Sequence, residues 1–370
     1  IMESKNVRIK DIARLAGVSV GTVDRVIHNR GNVSPEALKK IMAVLNKTGY
    51  KPNLLARTLG SNKKFIIATL IPEPSLDEYW EQSNWGINEA REEWSHYNVD
   101  VRPYFFDLYD KNSFEKSAKM AMDDQPDAIL SSPVFHQEAL NFFQSFQNDS
   151  VPYVFFNNKI PEITPLCFIG QDFYQSGRLG AELLELISET PCTFVILHIY
   201  EDLHNSVHLA QKESGFMDYF SEMENKGIQT RSLEFCNHDE VTLEKDLLSL
   251  VSDPDIKGLF ITTSKGTYLT ASFLKKHNRQ DIKLVGYDLL SGNIDHLKLG
   301  TIDFLIDQNP KKQAALGVNY LANYLIFKKG TPNEDLFPLE IITRQNLKTF
   351  LGSSIQSHLK SSAVLNNQSA

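Results

Sequence analysis

The stretch that most narrows the possible folds is residues 9–28, IKDIARLAGVSVGTVDRVIH. Ile9, Ile12, Ala13 and Ala16 recur at helical spacing. Gly17 follows, at a turn position that a side chain would strain. Ser19 is placed to cap a second helix, with Val20, Val23 and Val26 or Ile27 on its inward face. Helix, glycine turn and capped helix make a helix-turn-helix pattern. Such a unit lays the start of its second helix in the major groove of DNA. At this point an ordinary helical hairpin at one end of an enzyme is the alternative.

Charge separates the two readings. Residues 1–64 hold 13 lysines and arginines against Glu3, Asp11, Asp24 and Glu36, a net +9. The 370-residue chain is −8 overall, which leaves −17 for residues 65–370. A basic head on an acidic body fits a DNA contact confined to the head, since phosphates repel the rest. Ser34 and Pro35 then start a third helix, with Leu38, Ile41 and Leu45 facing inward and Gly49 as its stop. After it comes YKPNLLARTLG, where Asn53 can cap a turn or two ending at Gly60. That segment is too short to be a stable free helix. It is either a linker held on the body by its leucines, or a helix that forms when paired with its copy on DNA.

The run 9–28, followed by VSPEALKKI and YKPNLLARTLG, resembles the LacI/GalR family of bacterial transcription regulators over residues 8–60. The resemblance implies a dimer with a DNA-binding head, a hinge helix and an effector domain like periplasmic sugar-binding proteins. It puts Val20 and Gly21 at the first two specificity positions, Arg25 at the base-contacting arginine and Thr22 at a phosphate or groove contact. Asn53 and Arg57 match the hinge helix, and Leu59 matches the leucine that enters the minor groove. Ser19 and Asn32 complete the set of DNA-facing residues. Asp24 stands where the family usually has serine. It can accept from a cytosine amino group or orient Arg25.

From Phe65 the pattern changes. FIIATLI is a continuous apolar run, as in a buried parallel strand. Strands are then expected at 99–106, 128–130, 153–156 and 167–170, alternating with helices at 80–97, 114–122 and 137–146. A second series has strands at 194–198, 229–235, 258–261, 283–286 and 302–306, with a last strand at 339–343. The fold class expected is an all-α helix-turn-helix head plus an α/β body. The body is read as two-lobed, like a type I periplasmic binding protein, with doubly wound parallel sheets. The domains are read as a DNA-binding domain at 1–51, a hinge and linker at 52–64, an effector domain at 65–347 and an unstructured tail at 348–370. Lobe 1 is read as 65–170 with 308–335, and lobe 2 as 171–307 with 336–347.

Ligands of open α/β sheets sit beyond the carboxyl ends of the strands. Those ends offer Tyr79, Trp80, Asp107, Asn157 and Lys159 in the first lobe. The second offers His198, Lys212, Thr263, Asp288 and Gln308. Flat aromatics with amides and charges suit a polyhydroxylated ring. The resemblance extends to residues 65–347 through VGYD, LIDQNP and QKESGF. Lys159, Gln211 and Thr263 stand where family members often carry other residues.

Catalytic readings are weaker. His198, His204 and His208 bring no glutamate in a metallohydrolase position. No glycine-rich phosphate motif opens an α/β unit, and Cys167, Cys192 and Cys236 have no metal or redox spacing. No cofactor or metal is expected. The opening IMESKNVRIK has no apolar signal core and no run is long enough for a bilayer, so a cytoplasmic protein is expected. The reading is a non-enzymatic regulator, a homodimer on near-palindromic operator DNA, controlled by a small sugar-like effector. A cytoplasmic sugar-binding or sensing protein without a DNA role, or an enzyme on the two-lobed scaffold, are the alternatives.

Overall fold

A computed structural model describes residues 7–27, 31, 33–48, 63–145, 151–200, 206–222, 227–235 and 239–351. The chain divides into two compact units, Ile1–Asn62 and Lys63–Ala370. Asn32, Asn53, Arg57 and Leu59, and with them the hinge reading, lie outside the described residues, as do His204 and Cys236.

The first unit holds α1 (Ile9–Ala16), α2 (Val20–Ile27) and α3 (Pro35–Thr48). Gly17 ends α1 at φ +65°, its N–H reaching the carbonyls of Ala13 and Arg14. The Val18 N–H returns to Ala13 O at 3.0 Å, which completes a left-handed helix stop. Ser19 Oγ accepts the Thr22 N–H at 3.1 Å, and Ser34 Oγ accepts that of Ala37 at 3.3 Å. The core is Ile12, Ala13, Ala16, Val23 and Ile41. Two residues expected inside are outside: Val20 is 45% exposed and Leu38 44%. Helical side chains lean toward the N-terminus, so a first-turn residue such as Val20 overhangs the helix end. The inner stripe of α3 runs through Ala37, Ile41, Val44, Leu45 and Thr48, which turns Leu38 outward.

The second unit contains two six-stranded sheets, in the orders β2-β1-β3-β4-β5-β11 and β7-β6-β8-β9-β10-β12. In lobe 1 these are β1 (Phe65–Pro72), β2 (Val99–Phe106), β3 (Ala128–Ser131), β4 (Tyr153–Phe156), β5 (Cys167–Gly170) and β11 (Glu334–Leu336). In lobe 2 they are β6 (Cys192–Ile199), β7 (Ile228–Phe235), β8 (Ile256–Ile261), β9 (Lys283–Tyr287), β10 (Phe304–Asp307) and β12 (Glu340–Ile342). Every pairing is parallel except β10 with β12. The central strands β1 and β6 are buried along nearly their whole length, which is why both read as unbroken apolar runs.

Helices cover both faces. In lobe 1 they are α4 (Glu78–Ser95), α5 (Lys111–Asp123) and α6 (His136–Gln144). In lobe 2 they are α7 (Phe173–Ile187), α8 (Val207–Ser221), α9 (Glu240–Val251), α10 (Ser264–Lys276) and α11 (Ser291–Leu299). After β10 the chain returns to lobe 1, where α12 (Pro310–Phe327) packs on α4 and on β3 and β4. It passes between lobes three times, after β5, after β10 and after β11. Gln171 fastens these passages by donating its side-chain amide to Asp307 O at 2.8 Å and Pro338 O at 2.9 Å.

Two features differ from the sequence expectation. Strand β11 was not anticipated, since Glu-Asp-Leu is a poor strand former placed at a charged edge. The tail does not begin at 348. Leu347–Phe350 form a short helix, α13, and Leu347, Phe350 and Leu351 pack on the lobe 2 core. Their spacing of three and four puts them on one face. No described helix is long and apolar enough to cross a membrane.

Candidate functional site

In the head, the first turn of α2 forms the exposed surface. Ser19 Oγ and Thr22 Oγ1 are 2.8 Å apart, which fixes the two hydroxyls side by side. Val20, Gly21 and Arg25 are exposed, and Thr22 and Asp24 are half-buried. A Cβ built on Gly21 would meet nothing nearer than Ser19 Oγ at 3.9 Å. Nothing among the described residues of the head therefore demands glycine there. Its effect is to leave a flat patch between Val20 and Thr22 that another surface can approach closely.

In the body, the carboxyl ends of both sheets face one cavity of about 550 Å³. That volume lies within the range of about 300–1,000 Å³ usual for small-molecule sites. Six of the ten sequence-selected residues line it: Tyr79, Trp80, Asn157, Lys212, Thr263 and Gln308. Asp77 starts α4 by accepting the Tyr79 N–H at 2.8 Å, and this points the two aromatics inward. Trp80 is wedged edge-on against Tyr79 and Phe156. The Asn157 amide donates to the Tyr79 hydroxyl. Burial, reinforced by Asp288, lifts the Tyr79 phenol well above its ordinary pKa, so it keeps its proton for an acceptor.

Lys212 comes from α8 and is 1% exposed. Its Nζ donates to Thr262 O at 2.9 Å and lies 3.7 Å over the Tyr287 ring. Thr263 caps α10, its hydroxyl accepting the Gly266 N–H at 3.3 Å.

The other four selected residues do not line the cavity. Asp107 is used in its own turn, accepting the Tyr109 N–H at 2.8 Å. Lys159 Nζ is drawn to Glu334 on β11 at 3.2 Å. His198 is fully buried, with Thr262 Oγ1 3.0 Å from Nδ1 and Glu213 Oε2 2.9 Å from Nε2. Burial pushes its pKa below the usual imidazole value, against the pull of Glu213. The neutral ring donates to Glu213, which also accepts from Ser232 at 2.8 Å. His198 is thus a packing element between β6 and α8. Asp288 is also fully buried, at φ +65°. Its carboxylate accepts from Ser264 Oγ, from Gln308 N at 2.9 Å and from Gln308 Nε2 at 2.7 Å. It holds the cavity floor from behind rather than forming it.

The strand-end rule stopped at Asp107 after β2 and selected nothing after β3, and so missed Tyr109, Lys111 and Phe135, which line the cavity. It also reached Asn158 without selecting it. Asn158 is 4% exposed and lines the cavity, and its Oδ1 is buried with no hydrogen-bond partner among the described residues. Contacts across the cleft tie the lobes together. Glu78 accepts from both the N–H and the hydroxyl of Ser291, at 2.8 and 2.7 Å, where α11 begins. Gln82 donates to Leu289 O at 3.2 Å, and Lys265 Nζ reaches the Tyr109 hydroxyl at 3.4 Å.

The comparisons with known proteins agree with both halves of this geometry. A periplasmic binding protein domain profile matches residues 67–329, and the profile of bacterial regulatory proteins of the lacI family matches residues 8–53. The chain belongs to the lacI family of regulators. It is 25% identical over 294 residues to the sucrose operon repressor of Streptococcus mutans, covering 76% of this chain and 82% of that one. To the transcriptional regulator MalR of Streptococcus pneumoniae it is 22% identical over 302 residues, covering 78% and 85%. A solved Bacteroides fragilis protein described as a LacI transcriptional regulator superposes with a TM-score of 0.71 at 29% identity, over 78% of this chain and 99% of that one. GanP, a glucose-galactose binding protein from Geobacillus stearothermophilus, shares the fold with a TM-score of 0.68 at 21% identity, over 77% and 99%. This lacI-family chain is a DNA-binding transcription regulator with an effector domain. The described residues contain no group of histidines, cysteines and acids that could hold a metal.

Proposed function

We propose that this regulator is a cytoplasmic homodimeric repressor of a near-palindromic operator, switched by a sugar-class effector held between its lobes. The observation that carries the effector half is the polar cavity at the carboxyl ends of both sheets, with Lys212 and Asn158 buried in its walls. A relative named as a sucrose operon repressor supports the ligand class. Tyr79, Trp80, Asn157, Lys212, Thr263 and Gln308 contact the effector. A ligand that touches both lobes favours their closed arrangement by its differential affinity for it, and by no more than that.

The first turn of α2 enters the major groove. Val20, Gly21 and Arg25 face base edges, and Ser19 and Thr22 face phosphate. A dimer presents two such helices one helical turn apart, which makes the operator near-palindromic. Arg25→Ala is expected to lose about 1–3 kcal/mol of discrimination at one base pair per half-site. Binding to an array of single-base operator variants checks this. An equal loss on every variant would remove Arg25 from the base-reading set.

A further inference from the structure

Helix α11 of lobe 2 begins at Ser291 without a cap of its own. Its N-cap residue is Leu290, whose side chain cannot accept a hydrogen bond, and its first turn holds no acid. The first N–H groups of a helix have no acceptor within it, and leucine is among the poorest residues at this position. The missing acceptor comes from lobe 1. Glu78, in the first turn of α4, accepts the Ser291 N–H with Oε1 at 2.8 Å and the Ser291 hydroxyl with Oε2 at 2.7 Å. A carboxylate there also meets the positive end of the α11 dipole.

The contact is wider than one residue. Gln82 lies one turn further along α4, on the same face, and donates to Leu289 O at 3.2 Å. Between these two grips Leu290 turns away from its own lobe. It is 5% exposed and packs in the lobe 1 core with Tyr79 and Trp80, whereas Leu289 belongs to the lobe 2 core. Asn293 fixes the same loop on the lobe 2 side, its Nδ2 donating to Ser264 O at 3.0 Å and to Tyr287 O at 2.9 Å.

Both walls of the cavity meet at this clasp. Tyr79 and Trp80 follow Glu78 directly in α4, and Ser264 is held through Asn293; all three line the cavity. We propose that Glu78 is a positioning residue of the effector site. By capping α11 from the opposite lobe, it holds the lobes together independently of the effector's own contacts and keeps the two walls facing each other. The inference rests on the cleft being the effector site. The apparent affinity of a ligand scales with the fraction of protein already in the competent arrangement. Loosening the clasp therefore lowers affinity without removing any group that lines the cavity.

The first test needs no ligand. It is amide hydrogen exchange of the full chain, followed by mass spectrometry over residues 289–294. Glu78→Ala is expected to speed exchange there about tenfold or more, as loss of a charge-assisted hydrogen bond allows, while β1 and β6 exchange as before. Glu78→Gln keeps an acceptor oxygen without the charge and should fall between the two. Calorimetry of the full chain with a panel of D-glucose, D-galactose, D-arabinose and sucrose then reads the site. For each sugar that binds, Glu78→Ala is expected to weaken binding about tenfold, and Glu78→Gln by a smaller factor. Ser291→Ala alone should weaken it about threefold and add nothing in the Glu78→Ala background, because the two residues form one contact. A general loss of stability would instead give additive losses. Unchanged exchange over 289–294 in Glu78→Ala would overturn the proposal, as would unchanged sugar affinity or additive losses in the double variant. If no sugar of the panel binds the wild-type chain, the sugar reading fails, and the exchange result alone decides for or against the clasp.

Discussion

Gly215→Val is expected to destabilise the chain by about 3 kcal/mol and to abolish effector binding. Helices α7 and α8 cross with their backbones in contact. A Cβ on Gly215 would stand 2.0 Å from Tyr174 O, and one on Gly177 would stand 1.9 Å from Lys212 O. Real Cβ atoms do not approach backbone so closely, so one helix must move away. Lys212 lies on α8 one turn before Gly215, so a shift of α8 against α7 carries it along. Its ammonium sits between a carbonyl and a ring face, at 2.9 and 3.7 Å, and neither contact survives such a shift. The same substitution therefore harms packing and the site together. Urea unfolding followed by calorimetry with the tightest-binding sugar of the panel checks both effects. An unchanged unfolding midpoint would contradict the close crossing of α7 and α8.

The second large effect depends on pH. Burial raises the Asp307 carboxyl to about 7, and the neighbouring Asp288 pushes it the same way. Asp288 is raised as well, chiefly by burial. In an unfolded chain an aspartate titrates near about 3.9. The folded state then holds more protons than the unfolded one between these values, so stability falls as pH rises across that window. The contribution is fully present below the unfolded pKa and is gone above about 7. Asp307→Asn removes the ionisation and keeps an oxygen for the backbone N–H groups of Asn309 and Leu289 that Asp307 serves. The variant is expected to be the more stable protein at pH 8. Its advantage should widen by roughly 2 kcal/mol between about pH 5.5 and pH 8. Denaturant titrations at the two pH values measure this. A gap that does not change with pH would mean that Asp307 ionises normally.

The head was legible because its signals are local. Gly17, Ser19 and Ser34 each act on a backbone group within five residues, so their roles can be read without knowing the fold. Val20 and Leu38 were misplaced because helical periodicity gives a face and not its exact centre. The alternation of strands and helices in the body was legible for the same reason as the head, with β11 lost because its sequence lacks a strand signature.

The cleft was half legible. The strand-end rule finds positions, but which way a side chain points there depends on alternation along the strand and on the turn that follows. His198 is one residue before the end of β6 and faces Glu213. Asp288 follows β9 directly, and its left-handed backbone turns it toward Gln308. Lys159 is claimed by a glutamate 175 residues away. Asn158 needed the opposite kind of information. Its importance lies in a buried oxygen without a partner, which only the packed fold reveals.

The central claim is that one chain couples operator binding at α2 to ligand binding in the cleft. Linkage requires that coupling to be reciprocal. The direct measurement is a pair of affinities on the full chain. Operator affinity is taken by anisotropy with and without saturating ligand from the sugar panel, and ligand affinity by calorimetry with and without saturating operator. The account predicts a change of about fivefold or more in each, by the same factor and in the same direction. Operator affinity that is indifferent to a ligand saturating the cleft would contradict it.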